Sequence, residues 1–103
     1  MGYDISLTHE DTPGNFIGNI TYNVDQMYNK AFGEYWRDVI NNKVANDVLE
    51  LMNKAIDNME RSPNDYKKLE PDNGWGDYDT ALTFLKEFYD ECKTYPKMLI
   101  YIG

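Results

Sequence analysis

Glu70-Pro71-Asp72-Asn73-Gly74-Trp75-Gly76-Asp77-Tyr78-Asp79 separates two helical patterns of the chain and marks where one stops and the next begins. Pro71 lacks the N–H that a continuing helix needs, whereas Asp77 or Asp79 can accept a bond from a free N–H at the start of a new helix. Downstream, Tyr78, Ala81, Leu82, Leu85, Phe88, Tyr89 and Cys92 recur at three- and four-residue spacing and predict a helix that ends before Tyr95-Pro96. Upstream, Val44, Val48, Leu51, Met52, Ala55, Ile56 and Met59 form an equivalent stripe behind the capping pair Asn41-Asn42. Ser62-Pro63 adds a short helical turn between the two.

Further from this centre the periodicity changes from helical to extended. Tyr3, Ile5 and Leu7 alternate with polar residues and predict a strand over Tyr3–Thr8. Phe16–Val24 is rich in aromatic and β-branched residues, with Gly18 able to accommodate a bulge, and Pro13-Gly14 reads as the turn of an antiparallel hairpin. Asn23 or Asp25 can cap a short helix carrying Met27, Tyr28, Ala31 and Phe32, which Gly33 ends, and Glu34–Ile40 can continue as helix. Met98–Ile102 is an uninterrupted apolar run, consistent with a strand covered on both faces or an edge that meets a partner. The expected fold is α+β: a small three-stranded antiparallel sheet packed against about three helices, in one domain spanning residues 1–103.

The composition narrows the chemistry. A formal net charge of -8 opposes direct binding to nucleic acid or anionic lipid, which are polyanions, and favours a basic partner surface. One cysteine, Cys92, and one histidine, His9, provide neither an intrachain disulfide nor a structural zinc site. No apolar run approaches membrane-spanning length, and no secretion signal opens the chain, so a cytoplasmic protein without a membrane partner is expected. His9 lies in a polar stretch with no nucleophile pattern around it, and neither a Walker sequence nor GxGxxG is present, so no catalytic residue, metal or cofactor is expected. Asp72–Thr83 imitates a calcium loop but fails its register, with Gly74 and Gly76 at the third and fifth positions and Thr83 at the twelfth.

Two groups remain as candidate binding residues. Asn73, Trp75, Asp77 and Tyr78 cluster at the glycine-flanked indole, where Trp75 either folds back as a lid over the core or stands out as a platform. Asn19, Tyr22 and Asn23, with Thr21, gather where strand two passes into the first helix, serving either capping and edge bonding or a pocket. A carboxylate pair such as Asp77 and Asp79 is the enzymatic alternative, a hydrolase or transferase, and it needs burial to separate the two pKa values.

Tyr3-Asp4-Ile5-Ser6-Leu7, Asn19-Ile20-Thr21-Tyr22-Asn23 and Asn73-Gly74-Trp75-Gly76 together resemble segments of small uncharacterised proteins encoded by bacteriophages and prophages. The resemblance implies an accessory protein that acts by stoichiometric binding in the host cytoplasm, countering a host defence factor. The missing catalytic inventory, the acidic charge and the surplus of tyrosines add the expectation that it occupies a host protein with a basic surface or sequesters a nucleotide-like small ligand. A structural subunit that forms a homo-oligomer through its terminal strand is the alternative from another class.

Overall fold

Among the described residues, two strands, five helices and a final strand follow one another along the chain. The computed structural model describes residues 2–9, 12–72 and 74–103, and the elements are β1 (Gly2–His9), β2 (Thr12–Thr21), α1 (Asp25–Phe32), α2 (Trp36–Ile40), α3 (Leu49–Arg61), α4 (Pro63–Lys67), α5 (Tyr78–Thr94) and β3 (Leu99–Ile102). Short 3-10 turns at Tyr22–Val24 and Ala45–Val48 lead into α1 and α3. The sheet is antiparallel with order β2-β1-β3, so the α+β expectation with three strands holds, and helix is divided more finely than the periodicity suggested.

The alternation in β1 builds the core. Tyr3, Ile5 and Leu7 are buried, and their neighbours on the same face are Ile20 on β2 and Ile100 and Ile102 on β3. Against this face lie Met27, Tyr28 and Ala31 of α1, Met52, Ala55, Ile56 and Met59 of α3, and Ala81, Leu85, Phe88 and Cys92 of α5, all in one buried cluster. The opposite face of the sheet shows Phe16, Leu99 and Tyr101 to solvent. A continuous apolar run at Met98–Ile102 therefore does not mean burial on both faces: β3 alternates, with Ile100 and Ile102 inward.

Several local expectations are corrected. Pro13-Gly14 is not the hairpin turn, because β2 already begins at Thr12 and His9 pairs with Thr12; the two residues between them lie outside the described residues. Gly18 does sit at a register shift, where Ile5 pairs with Gly18 and Ser6 with Phe16, leaving Ile17 as the extra residue. Asn41 and Asn42 do not cap α3. Asn41 Oδ1 accepts from Ile102 N–H at 2.9 Å, and Asn42, at φ 63°, turns the chain so that Val44 bridges Leu99.

That turn closes one edge of the sheet. Asn42 N–H donates to Ile100 O at 2.8 Å, Ile100 N–H to Lys43 O at 2.9 Å and Ala45 N–H to Met98 O at 2.8 Å, while Arg37 Nη2 donates to Ile102 O at 3.1 Å. The outward backbone groups of β3 are thus taken up by the chain itself, which removes the terminal strand as a surface for pairing between copies.

Two tyrosines lock the helices together at atomic contacts inside the core. Tyr28 Oη donates to Ala81 O at 2.7 Å, and Tyr78 Oη donates to Met59 O at 2.7 Å. Burial raises the Tyr28 hydroxyl far above its usual range, so it remains a donor at any ordinary pH. Tyr28→Phe removes this bond to the Ala81 carbonyl and is expected to lower unfolding stability by about 1 kcal/mol, read as a lower urea midpoint at unchanged slope. An unchanged midpoint would contradict that role.

Candidate functional site

The loop between α4 and α5 is held at both ends by its own acids. Glu70 Oε2 accepts from Tyr78 N–H at 3.1 Å, and Asp77 Oδ1 accepts from Thr80 N–H at 2.8 Å, which makes Asp77 the cap of α5. These bonds to Thr80 hold the Asp77 carboxyl below the usual carboxylate range. A carboxyl shifted downward by capping is opposite to the raised acid that paired-carboxylate catalysis uses, and it leaves Asp77 a structural task.

Gly74 and Gly76 both adopt the left-handed region, at φ 77° and 79°. Gly76 is also buried against the end of β2: a methyl group there would stand 2.7 Å from Thr21 Cγ2 and 3.3 Å from Val24 Cγ1. Around Gly74 there is open space. The second glycine therefore presses the loop onto the 3-10 turn, and the indole between the two is lifted outward. Trp75 is 68% exposed, so it does not fold back as a lid over the core.

On the facing wall, Thr21 Oγ1 accepts from Asn23 N–H at 3.3 Å and caps the turn that carries Tyr22 and Asn23. Neither Asn23 nor Asp25 caps α1 as expected; Val24 occupies that position without a side-chain bond, and the Asp25 carboxylate is used elsewhere. Tyr22 rests edge-on against Tyr3, ring centroids 4.5 Å apart, and is 44% exposed. Asn19 Nδ2 donates to Asp4 Oδ1 at 2.8 Å across the outer face of the sheet.

These walls enclose one groove of about 820 Å³, lined on the sheet side by Gly2 and Asn19 to Asn23 and on the loop side by Gly74, Trp75, Gly76 and Thr80. The two groups singled out from the sequence thus meet across a single concavity. Asn19, Tyr22, Asn23 and Trp75 line it; Tyr78 does not, because its ring is buried in the core, and Asp77 serves as the helix cap and is not among the lining residues. Asn73 lies outside the described residues. Sequence reasoning missed Gly2, Thr80 and the packing role of Gly76, and only the pairing of β1 with β2 brings the first of these to the site.

None of the ten described residues that line it is charged, although charged residues make up 27% of the chain. The groove offers amide and hydroxyl hydrogen-bonding groups beside two exposed aromatic rings and no Lys or Arg to receive a phosphate. Among the described residues no group of three or more metal-ligating side chains gathers, and no helix is long and apolar enough to cross a membrane. Cys92 faces the core, and burial, assisted by the charge of Glu91, pushes its thiol up to about 12. His9 lies at the end of β1, and its side chain is outside the described set. No protein-family model, curated protein or solved structure matches the chain.

Two outcomes check this geometry. Gly76→Ala meets both the left-handed strain and the Thr21 contact, so it is expected to cost about 1–3 kcal/mol and more than Gly74→Ala, which meets strain alone. Equal unfolding midpoints for the two variants would show that the loop is not pressed onto Thr21. Cys92 is expected to resist alkylation in the native protein and to react fully in denaturant; rapid labelling under native conditions would contradict its burial.

Proposed function

We propose that the protein is a non-enzymatic binding protein that acts by stoichiometric occupancy, and that the groove beneath Trp75 is its recognition surface. It is an accessory protein of the phage-encoded kind, working in the host cytoplasm against a defence factor. The observation that carries this reading is the exposure of Trp75 at the rim of a concavity whose other walls are Tyr22, Asn19 and Asn23. Exposing an indole to water forgoes a few kcal/mol of burial, and the paired left-handed glycines keep it there.

Of the two partner classes, a host protein with a basic surface is favoured over a nucleotide-like ligand. A nucleotide needs cations or helix N–H groups for its phosphates, whereas the described lining of the groove holds no Lys or Arg and the α5 terminus beside it is already capped by the Asp77 carboxylate. The net charge of -8 suits attraction of a basic protein, with an association that weakens as salt rises.

The test is retention from lysate of the host bacterium on immobilised protein, compared between the native chain and Trp75→Ala. A recognition hot spot of about 2 kcal/mol predicts roughly 30-fold weaker retention of a partner held near one-to-one. Trp75 is separable from the other indole, because Trp36 is buried and donates to Asp25, so folding of the variant is monitored by the unchanged Trp36 emission. Equal retention by the variant, or catalytic turnover of the partner, would contradict the reading.

A further inference from the structure

The two edges of the sheet are treated differently. On β3 the outward groups are closed by residues 41–45, as described above. On the other side, Asp4 N–H donates to Gly103 O at 3.1 Å and Gly103 N–H to Asp4 O at 2.9 Å, so the backbone groups of Asp4 face β3. Alternation then turns those of Tyr3 and Ile5 toward β2, where Ile20 and Gly18 receive them. It follows that the N–H and C=O of Asn19, and the N–H of Thr21, leave the sheet on its open side, and none has a hydrogen-bond partner among the described residues. Ser6 pairs with Tyr101 on its far side, so Phe16 opposite it also directs its backbone groups outward. From Asn15 to Thr21 this edge carries no charge and no proline, the usual guards of a bare strand, and only the bulge at Ile17 interrupts it.

Two concavities follow this edge, with α5 as the second wall of the lower one. The Trp75 groove lies at Asn19–Thr21, and a cleft of about 620 Å³ lies beside Asn15, Phe16 and Ile17, walled by Glu87, Asp90, Glu91 and Tyr95. Between them Phe84 covers Gly18 so closely that a methyl there would stand 3.0 Å from its ring. Asp90 is paired with Lys93 at 3.4 Å, whereas Glu87 and Glu91 have no ion pair among the described residues. The edge thus runs from a neutral aromatic end to an acidic end.

Resting on the binding function proposed above, we propose that the outer edge of β2 is a strand-addition site, taking an extended, basic polypeptide segment along Phe16–Thr21. Backbone groups of the segment meet Asn19, Thr21 and Phe16; one apolar side chain rests at Trp75 and a Lys or Arg reaches Glu87 and Glu91. From Thr80 to Asp90 is ten residues of helix, roughly 15 Å at 1.5 Å each, or four to five strand residues at about 3.3 Å. Side chains four apart lie on one face of a strand, so the apolar and basic anchors stand at positions i and i+4 in either chain direction. A second copy of this chain fits less well, since it would bring acid to acid in a protein of net charge -8.

The experiment selects linear ten-residue peptides from a random display library on the native protein and measures the enriched peptides by fluorescence anisotropy. Enriched sequences are expected to carry Lys or Arg four residues from an apolar side chain. Asn19→Pro removes the outward N–H at a position where an edge strand tolerates proline, while Asn19→Ala removes only the side chain. The proline variant is expected to bind roughly 10-fold or more weakly than the alanine variant, the difference between the two isolating the backbone N–H from the side chain. Glu87→Lys with Glu91→Lys is expected to abolish the preference for basic peptides. Should Asn19→Pro fail to fold, peptides methylated at alternate backbone nitrogens serve instead and are expected to lose binding to the native chain.

Failure to enrich any peptide on the native protein over Asn19→Pro, or equal binding by methylated peptides, would overturn strand addition. Sedimentation showing a native dimer that Asn19→Pro dissolves would assign the edge to a second copy and overturn it equally. If lysate retention still depends on Trp75 but not on Asn19→Pro, strand addition falls and the Trp75 groove stands. If retention does not depend on Trp75, the underlying binding function falls instead.

Discussion

One carboxylate joins the sheet to the helices and orients the wall of the groove. Asp25 accepts from Tyr3 Oη at 2.9 Å through one oxygen and from Trp36 Nε1 at 2.8 Å through the other, so β1, α1 and α2 meet at a single side chain. Tyr35 Oη lies 3.2 Å from the same tyrosine hydroxyl. Burial first, then the bonds to Tyr35 and Asp25, raise the Tyr3 hydroxyl well above its usual range and keep its proton in place. Tyr3 in turn packs edge-on against Tyr22 and Trp36, so the ring facing the groove is positioned by the same junction that anchors the core.

From this junction the rest follows in order. Asn29 Oδ1 accepts from Trp36 N–H at 2.9 Å, and Gly33, left-handed at φ 79°, turns α1 into α2 so that Trp36 can reach Asp25. The Asn41–Val44 turn that follows α2 closes the β3 edge. Closing β3 leaves β2 as the open side of the sheet, and the loop pressed down by Gly76 places an indole beside it. Structural economy in one half of the molecule thus defines an accessible surface in the other.

What the chain revealed in advance was governed by local periodicity. The stripe of α5, the later part of the α3 stripe from Leu51 onward, the alternation of β1, the left-handed stop at Gly33 and the Asp77 cap are decided within a few residues and appear where the spacing places them, whereas α3 itself begins only at Leu49, behind a 3-10 turn. What misled was context. Pro13-Gly14 resembles a turn but lies within β2, and Asn41-Asn42 resembles a cap but ties a loop to β3, because long-range strand pairing outweighs local turn preference. At the site, the meeting of Asn19, Tyr22 and Asn23 with Trp75 joins residues more than fifty positions apart, and only the folded sheet creates it. Tyr78 shows the converse: chemically suited to recognition, it is claimed by the core through its bond to Met59.

Amide hydrogen exchange of the free protein, resolved residue by residue, tests the open β2 edge most directly. Gly18 and Ile20, paired with β1, are expected to be protected, and Asn19 and Thr21 to exchange far faster, giving alternate protection along the strand. On β3, Ile100 and Ile102, bonded to Lys43 O and Asn41 Oδ1, are expected to be protected alongside Tyr101. Uniform protection from Gly18 to Thr21 would mean that the edge is already occupied and would contradict the account.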